Sequence, residues 1–198
     1  MSALRKPASD LLFTTDDLLA MPEDGNLYEV IEGELYMSTQ PNWHHQYACT
    51  CLTRALENWN EQTGLGIANG APGLIFSIHD AVAPDVVWVS FERLSQILGE
   101  DGKLHAAPDL AVEVISPGWQ NEQRDRDTKL KLYSRRGVRE YWIVDWQARQ
   151  VEVYRRSRAK LVQTATLLHD DELTSPMLPG FACKVSSLFM QLPQAPKA

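Results

Sequence analysis

The sequence predicts a single α/β domain (α+β in the broader sense), with a mixed central β-sheet flanked by helices and carrying accessory antiparallel hairpins. Three observations predict it. Strand-like and helix-like segments alternate along the chain, with a strongly periodic helix near residue 50 and a charged helix between two apolar runs. No internal repeat and no linker-like stretch interrupts them. The length, 198 residues, suits one domain and can bury a substantial core. We read that domain as spanning 1–198, with 1–13 flexible and 190–198 a tail.

Taken in order, "FTTDDLLAM" reads as a short helix capped by Thr14 or Thr15, with acids in its first turn. "YEVIEGELYMS" alternates on either side of Gly33, a hairpin signal. From Trp43 to Gln62 the apolar residues Trp43, Tyr47, Ala48, Cys51, Leu52, Ala55, Leu56 and Trp59 recur every three or four positions. That is a helix, closed by Gly64. Strands follow at 66–69, at "LIFSI" (74–78) and at "DVVWVS" (85–90), and 91–107 reads as a loop with a helical turn. "DLAVEVIS" is a further strand, before a charged helix from Glu122 to Arg136 that Gly137 ends. "REYWIVDW" and "QVEVYRR" are strands joined near Gln147 to Arg149, a strand at 161–168 follows, and a Pro-rich tail ends in "SLFM".

Composition narrows the class. A hydrophobic fraction of 44% is that of an ordinary soluble globular protein. No apolar run approaches the ~18–20 residues that span a bilayer. The start, "MSALRKPASD", has two basic residues but no apolar stretch behind them, so it does not read as a secretory signal; Asp10 and its brevity argue against a transit peptide. Three cysteines, Cys49, Cys51 and Cys183, without the density of a disulfide scaffold, point to reduced thiols in a cytoplasmic setting. Cys49 and Cys51, two apart on a helix, point away from each other and read as packing or surface residues.

The net charge of −7 conceals an asymmetry. Residues 124–160 hold twelve of nineteen Lys and Arg against five of twenty-six Asp and Glu, +7 locally, which leaves seven against twenty-one elsewhere, or −14. A basic face on an acidic body is one reading, and a set of solvated helix and hairpin faces is the other.

One carboxylate stands out. Glu113 lies inside the apolar run Leu110, Ala111, Val112, Val114, Ile115, and two Pro-Asp pairs, Pro84-Asp85 and Pro108-Asp109, each open an apolar stretch. Asp109 and Glu113 on one strand are about 13 Å apart, too far to share a small ion with ligands at about 2.1 Å. Asp85 opens a different strand. Neighbouring strands lie about 4.8 Å apart, so Asp85 and Glu113 meet if those strands pair in the right register. Two adjoining carboxylates repel unless a cation sits between them, and a divalent ion supplies one. A structural ion pair of Glu113 with an arginine or lysine fits the spacing equally well.

Phosphodiester hydrolysis also benefits from a cation beside the attacked phosphate or the attacking water. Ile115, two beyond Glu113, cannot serve. On the following helix Asp125, Lys129, Leu132 and Tyr133 share a face at 100° per residue, while Lys131 lies about 200° from Lys129. Packing the Leu132/Tyr133 side on the sheet brings Lys129 to the acids and leaves Lys131 in solvent; an ordinary i,i+4 surface pair of Asp125 and Lys129 is the alternative.

In this order, "YEVIEGELY", "APDVVWV", "PDLAVEVISPG", "DRDTKLKLYSRRGVREYWIVD" and "VEVYR" resemble the Uma-two family of restriction-type endonucleases, placed in the PD-(D/E)XK nuclease superfamily. The resemblance runs from about Leu18 to Phe189. It implies a restriction-endonuclease-like core and Mg²⁺-dependent hydrolysis of DNA, with Mn²⁺ able to substitute. It implies that Asp85 fills the Pro-Asp position and Glu113 that of the (D/E)XK acid, with the Val114 carbonyl a third metal ligand. The lysine of the motif falls on Lys129, and Ile115 stands where the superfamily's written motif has it. Glu29 matches an acid that assists the metal or a bound water, and His45 a recurrent position that otherwise reads as a cap or packed histidine. Asp125 and Tyr133 form the surroundings of Lys129. Arg124, Arg126, Lys131, Arg135 and Arg136 are the candidates for gripping backbone phosphates without reading sequence. Cutting both strands takes two sites, which is the ground for considering a homodimer; nothing points to a membrane. A nuclease-like scaffold that binds DNA or protein without cutting, and a purely structural role, remain alternatives.

Overall fold

The computed structural model describes residues 12–191; the expectations for residues 1–11 and 192–198 lie outside the described residues. Helix α1 (Thr15–Leu19) is capped by Thr14 and leads to the hairpin of β1 (Leu27–Ile31) and β2 (Glu34–Ser38). Ile31 pairs with Glu34, so only Glu32 and Gly33 turn the chain, with φ of 55° and 76°. A two-residue turn of this kind needs two positive φ values, which glycine adopts freely. Glu32 is held there by Asp80 Oδ1, which accepts its N–H at 2.8 Å.

Next come α2 (Trp43–Thr63), β3 (Gly66–Gly70), β4 (Leu74–Ser77), β5 (Asp80–Val82), β6 (Val86–Ser90), α3 (Phe91–Ile97) and β7 (Leu110–Val114). The charged helix spans α4 (Trp119–Gln123), a π-helical turn (Arg124–Lys129) and α5 (Leu130–Arg136). Strands β8 (Glu140–Asp145), β9 (Gln150–Ser157), β10 (Lys160–Leu167), β11 (Glu172–Ser175) and β12 (Leu178–Lys184) complete the order, with a 3₁₀ turn at Val185–Leu188.

A six-stranded sheet runs β10-β9-β8-β7-β6-β3, with β7 and β8 parallel and every other neighbour antiparallel. A second sheet, β2-β1-β5-β4, and the β11–β12 hairpin are the accessory antiparallel parts. The mixed sheet flanked by helices is the expected fold class. Some details differ from expectation: β5 is an additional strand, the charged helix begins at Trp119 rather than Glu122 and contains a π-helical turn, and the Pro-rich tail contains a hairpin.

Strand β7 is buried on both faces, which explains its unbroken apolar character. Leu110, Val112 and Val114 pack with Leu52, Leu56 and Trp59 of α2 and with Leu173, Leu178 and Phe181 of the C-terminal hairpin. Ala111 and Ile115 pack on the opposite face with Leu132 and Tyr133 of α5 and with Ile31, Leu74 and Val82 of the second sheet. Burying each such aliphatic side chain contributes about 1.5–3 kcal/mol. Glu113 has the parity of Ala111 and Ile115, so it points toward α5 and the second sheet.

Candidate active site

Antiparallel β6 and β7 pair Val86 with Val112, Val87 with Ala111 and Trp88 with Leu110. One step further, this register sets Asp85 opposite Glu113. Asp85 Oδ2 accepts the N–H of Val114 at 2.7 Å, which pins the aspartate to the end of β7. Glu29 arrives from β1, its Oε1 accepting the N–H of Ala83 at 2.9 Å, immediately before Pro84-Asp85. These three acids, Asp125, Lys129, Arg124, His45 and Val114 line one cleft of 170 Å³.

Lys129 binds the acids together. Its Nζ lies 3.0 Å from Glu29 Oε1 and 3.0 Å from Glu113 Oε1, with the ammonium fully buried. Tyr133, one turn later, donates its hydroxyl to Glu113 Oε1 at 2.7 Å. Burial alone would drive Lys129 toward the neutral amine, but Glu113, Glu29 and Asp125 reverse that and raise its pKa, so it stays a cation. Burial pushes Glu113 well above the usual carboxylate range, with Asp85, Asp125 and Glu29 adding to the push and Lys129 opposing it. Asp125, also buried, is pushed up to about 6 despite the nearby Lys129 and Arg124.

The π-turn explains how so many charges face inward. In an α-helix, residues five apart diverge by about 140°. A π-turn closes in about five residues, so Arg124 and Lys129 come to the same side. The Asp125 carbonyl within this turn accepts the Tyr141 hydroxyl at 3.0 Å, which ties the turn to the sheet. Arg124 reaches Ser38 Oγ at 2.6 Å, Asp125 Oδ1 at 3.4 Å and, more loosely, Glu29 Oε2 at 3.9 Å. Its place in the cleft wall follows from the widened turn, which the 100° spacing did not contain.

The three acids share a pattern. Each has one oxygen held by the protein: Asp85 Oδ2 by Val114 and His45, Glu113 Oε1 by Lys129 and Tyr133, Glu29 Oε1 by Lys129 and Ala83. The other oxygens, Asp85 Oδ1, Glu113 Oε2 and Glu29 Oε2, have no hydrogen-bond donor among the described residues. For Glu29 Oε2 the atom is also buried. Buried acceptors are nearly always paired, and an orphan of this kind is what a bound ion would satisfy. Hard carboxylate oxygens are the donors Mg²⁺ takes. The set therefore fits a divalent ion.

Of the other expected residues, His45 enters from the first turn of α2, Nε2 3.2 Å from Asp85 Oδ2, its backbone N–H capped by Asn42. The basic side chains proposed for phosphate other than Arg124 lie outside the cleft lining and face acids. Arg126 contacts Glu122, Asp145 and Glu152 at 2.7, 3.1 and 2.9 Å. Lys131 pairs with Asp127 at 2.8 Å, Arg135 with Glu32, and Arg136 with Asp80. Cys49, read from the sequence as a packing or surface residue, has its Sγ 3.6 Å from His45 Nδ1; its i,i+4 spacing from His45 was the available signal.

Among the described residues no helix is long and apolar enough to cross a membrane. Comparison with solved structures finds the crystal structure of "a putative nuclease belonging to DUF820" from Anabaena variabilis, at TM-score 0.70 and 19% identity, covering 89% of this chain and 97% of that one, a likeness of fold. The type IIG restriction endonuclease BpuSI matches at 17% identity and TM-score 0.39, over 73% of this chain and 14% of that one. No curated protein matches the sequence. The family model Uma2, described as "Putative restriction endonuclease", matches residues 15–186. That span contains every residue of the cleft, and the chain belongs to the Uma2 family.

Proposed function

We propose that this chain is a cytoplasmic, single-domain endonuclease that hydrolyses DNA phosphodiester bonds with Mg²⁺, or with Mn²⁺ in its place. The reading rests above all on one observation: acids from three neighbouring strands converge around the buried Lys129, and one of their oxygens, Glu29 Oε2, is buried with no hydrogen-bond partner. Asp85, Glu113 and the Val114 carbonyl are the proposed metal ligands, with Glu29 assisting. When bound, the ion lowers the pKa of a coordinated water and neutralises charge on the phosphate.

The chain's own residues do the rest. Lys129 holds its proton between Glu29 and Glu113 and presents a fixed positive charge to the attacked phosphate or the attacking water. Tyr133 fixes the Glu113 carboxylate by its hydrogen bond, and Asp125 helps keep Lys129 charged. The backbone of DNA is the partner, with Lys131, Arg135 and Arg136 as exchangeable phosphate contacts at the rim. A homodimer supplies two such sites for double-strand cutting.

A plasmid nicking assay in Mg²⁺ or Mn²⁺, wild type beside Glu113→Gln, tests the proposal. Nicking that disappears in the variant is the expected result, and equal activity in both overturns it. A scaffold that binds without cutting has one observation in its favour: Lys129, with Arg124 more loosely placed against Glu29, compensates Glu29 and Glu113 without an ion. Calorimetry showing no Mn²⁺ binding beside intact DNA affinity would favour that scaffold.

A further inference from the structure

A second donor set lies on the other side of Asp85. His45 and Cys49 are one turn apart on α2, and their ligand atoms lie within 4.8 Å of each other and of an Asp85 carboxylate oxygen. Cys49 Sγ is 3.6 Å from His45 Nδ1, and His45 Nε2 is 3.2 Å from Asp85 Oδ2, an unbroken run of thiol, imidazole and carboxylate. Asp85 also borders a second cavity, of 570 Å³, whose wall includes Cys49, Arg54, Glu57 and Ala71. The three side chains therefore sit between that cavity and the acid cleft, with a route for an ion from outside.

We propose that His45, Cys49 and Asp85 form a binding site for a thiophilic divalent cation, Zn²⁺ in the first place, distinct from the oxygen-only position at Glu113. The donor set carries the assignment. A neutral imidazole, a thiolate and a carboxylate are the three ligand types Zn²⁺ takes, with metal–ligand lengths of about 2.0–2.3 Å. Four tetrahedral ligands at those lengths sit about 3.3–3.8 Å apart. One imidazole nitrogen ligates a given ion, and the two nitrogens of His45 now face Cys49 and Asp85 separately, so the ring turns to present one nitrogen to the ion while the donors, already within 4.8 Å of one another, close to that spacing. Three protein ligands leave the fourth position to water, as in open zinc sites.

Selectivity follows from the sulfur. Cys49 is a free, buried cysteine whose thiol must give up its proton to ligate a metal. Zn²⁺ replaces that proton, which leaves to bulk water, and the thiolate–zinc bond forms in its place. Mg²⁺, which takes oxygen donors, does not. Because Asp85 belongs to both donor sets, zinc occupancy withdraws a carboxylate from the magnesium position and antagonises it. The site itself stands whether or not the chain cuts DNA.

Co²⁺, which takes zinc's ligands and reports sulfur by a thiolate-to-cobalt charge-transfer band in the near ultraviolet, is the probe. Titrating the full-length chain is expected to develop that band at one equivalent, to lose it on adding one equivalent of Zn²⁺, and in excess Mg²⁺ to keep it at saturating Co²⁺ with a weaker apparent affinity, because antagonism through Asp85 is reciprocal. Cys49→Ser is expected to abolish the band, while Cys51→Ser and Cys183→Ser retain it. Glu113→Gln also retains it, so loss of nicking in that variant and loss of the cobalt signal report on separate claims. No band in the wild type, or a band that survives Cys49→Ser, overturns the site. His45→Gln, which leaves every thiol in place, is expected to weaken Co²⁺ about tenfold or more; unchanged affinity there overturns the site as well.

Discussion

The antiparallel pair β6–β7 has a Pro-Asp at each end, and the two aspartates do the same backbone work. Asp85 Oδ2 accepts the N–H of Val114 across the pair at 2.7 Å, and Asp109 Oδ2 accepts the N–H of Ser90 at 2.9 Å. They differ in the oxygen left over. Asp109 Oδ1 is taken by the Arg139 guanidinium at 2.9 Å, and Ser90 Oγ adds a second donor to Oδ2. Asp85 Oδ1 has no such partner among the described residues, and the acids around it, Glu29 and Glu113, are half-held in the same way. A fully satisfied carboxylate is a structural clamp. A carboxylate satisfied on one oxygen only is fixed in place and still able to bind.

The largest way to break the comparison is to remove chemistry at one end only. Glu113→Gln is expected to lower nicking by at least about 10³-fold, the several kcal/mol that a metal ligand contributes. Asp109→Ala is expected to leave cleavage per folded molecule unchanged. Equal losses in the two variants, after correction for the folded fraction, would erase the distinction between the two ends.

Lys129→Met probes the same end through stability. It leaves Glu29 and Glu113 buried beside each other without their shared cation, a change that typically costs about 3–5 kcal/mol at neutral pH. Urea unfolding of Lys129→Met, of Glu113→Gln and of the double variant measures it. The double variant is expected to be less destabilised than the sum of the singles, because the two residues contact each other.

The acid end should also carry a pH signature. Asp125 is raised from 3.8 to about 6. The folded state therefore holds its proton more tightly than the unfolded state. That contribution is fully present below about pH 4 and is lost as pH rises through about 6, a swing of about 3 kcal/mol. Relative to wild type, metal-free Asp125→Asn is expected to gain that amount between pH 4 and 6, since its side chain never ionises. A flat difference in unfolding free energy across this window would contradict the burial argument.

Much of this was legible in the sequence because strand parity and helix periodicity are local. The apolar run around Glu113 predicts a buried strand, and the distance along one strand separates Asp109 from Glu113. The helix face carrying Leu132 and Tyr133 predicts that Lys129 points inward. What was not legible depended on long-range pairing or on irregular backbone. The basic stretch reads as a phosphate surface in one dimension, but Arg126 meets Glu152, Arg135 meets Glu32 and Arg136 meets Asp80, all distant in sequence. The π-turn that draws Arg124 inward has no periodic signature. The β11–β12 hairpin is masked by Pro176 and Pro179, although Leu173, Leu178 and Phe181 supply core. Recognition of the Uma-two pattern, by contrast, is borne out by the family match.

A smaller effect sharpens the clamp end. Asp109→Ala strands the N–H of Ser90, the residue whose hydroxyl caps the start of α3, and releases Arg139; an unsatisfied donor costs about 1–3 kcal/mol when buried, and this one is partly buried, so about 1 kcal/mol is expected. Thermal unfolding should shift by that amount, with no change in Mn²⁺ affinity by calorimetry. A change in Mn²⁺ affinity would mean that the two ends of the strand pair communicate.

The smallest expected effect concerns the rim. Lys131 and Arg135 are exposed and paired with exposed acids, so Lys131→Ala and Arg135→Ala are expected to change stability by less than about 1 kcal/mol. Their role in DNA binding is read instead from salt. Each phosphate contact adds about 0.9 to the slope of log affinity against log salt on duplex DNA. If DNA displaces Asp127 from Lys131 and Glu32 from Arg135, each single variant lowers the slope by about that amount. Arg126, held by three acids, is expected to leave it unchanged when replaced by alanine. Slopes that fall for Arg126→Ala and not for Lys131→Ala would place the DNA on the face of β8 and β9 instead of along the π-turn, and so away from the free oxygens of Asp85 and Glu113.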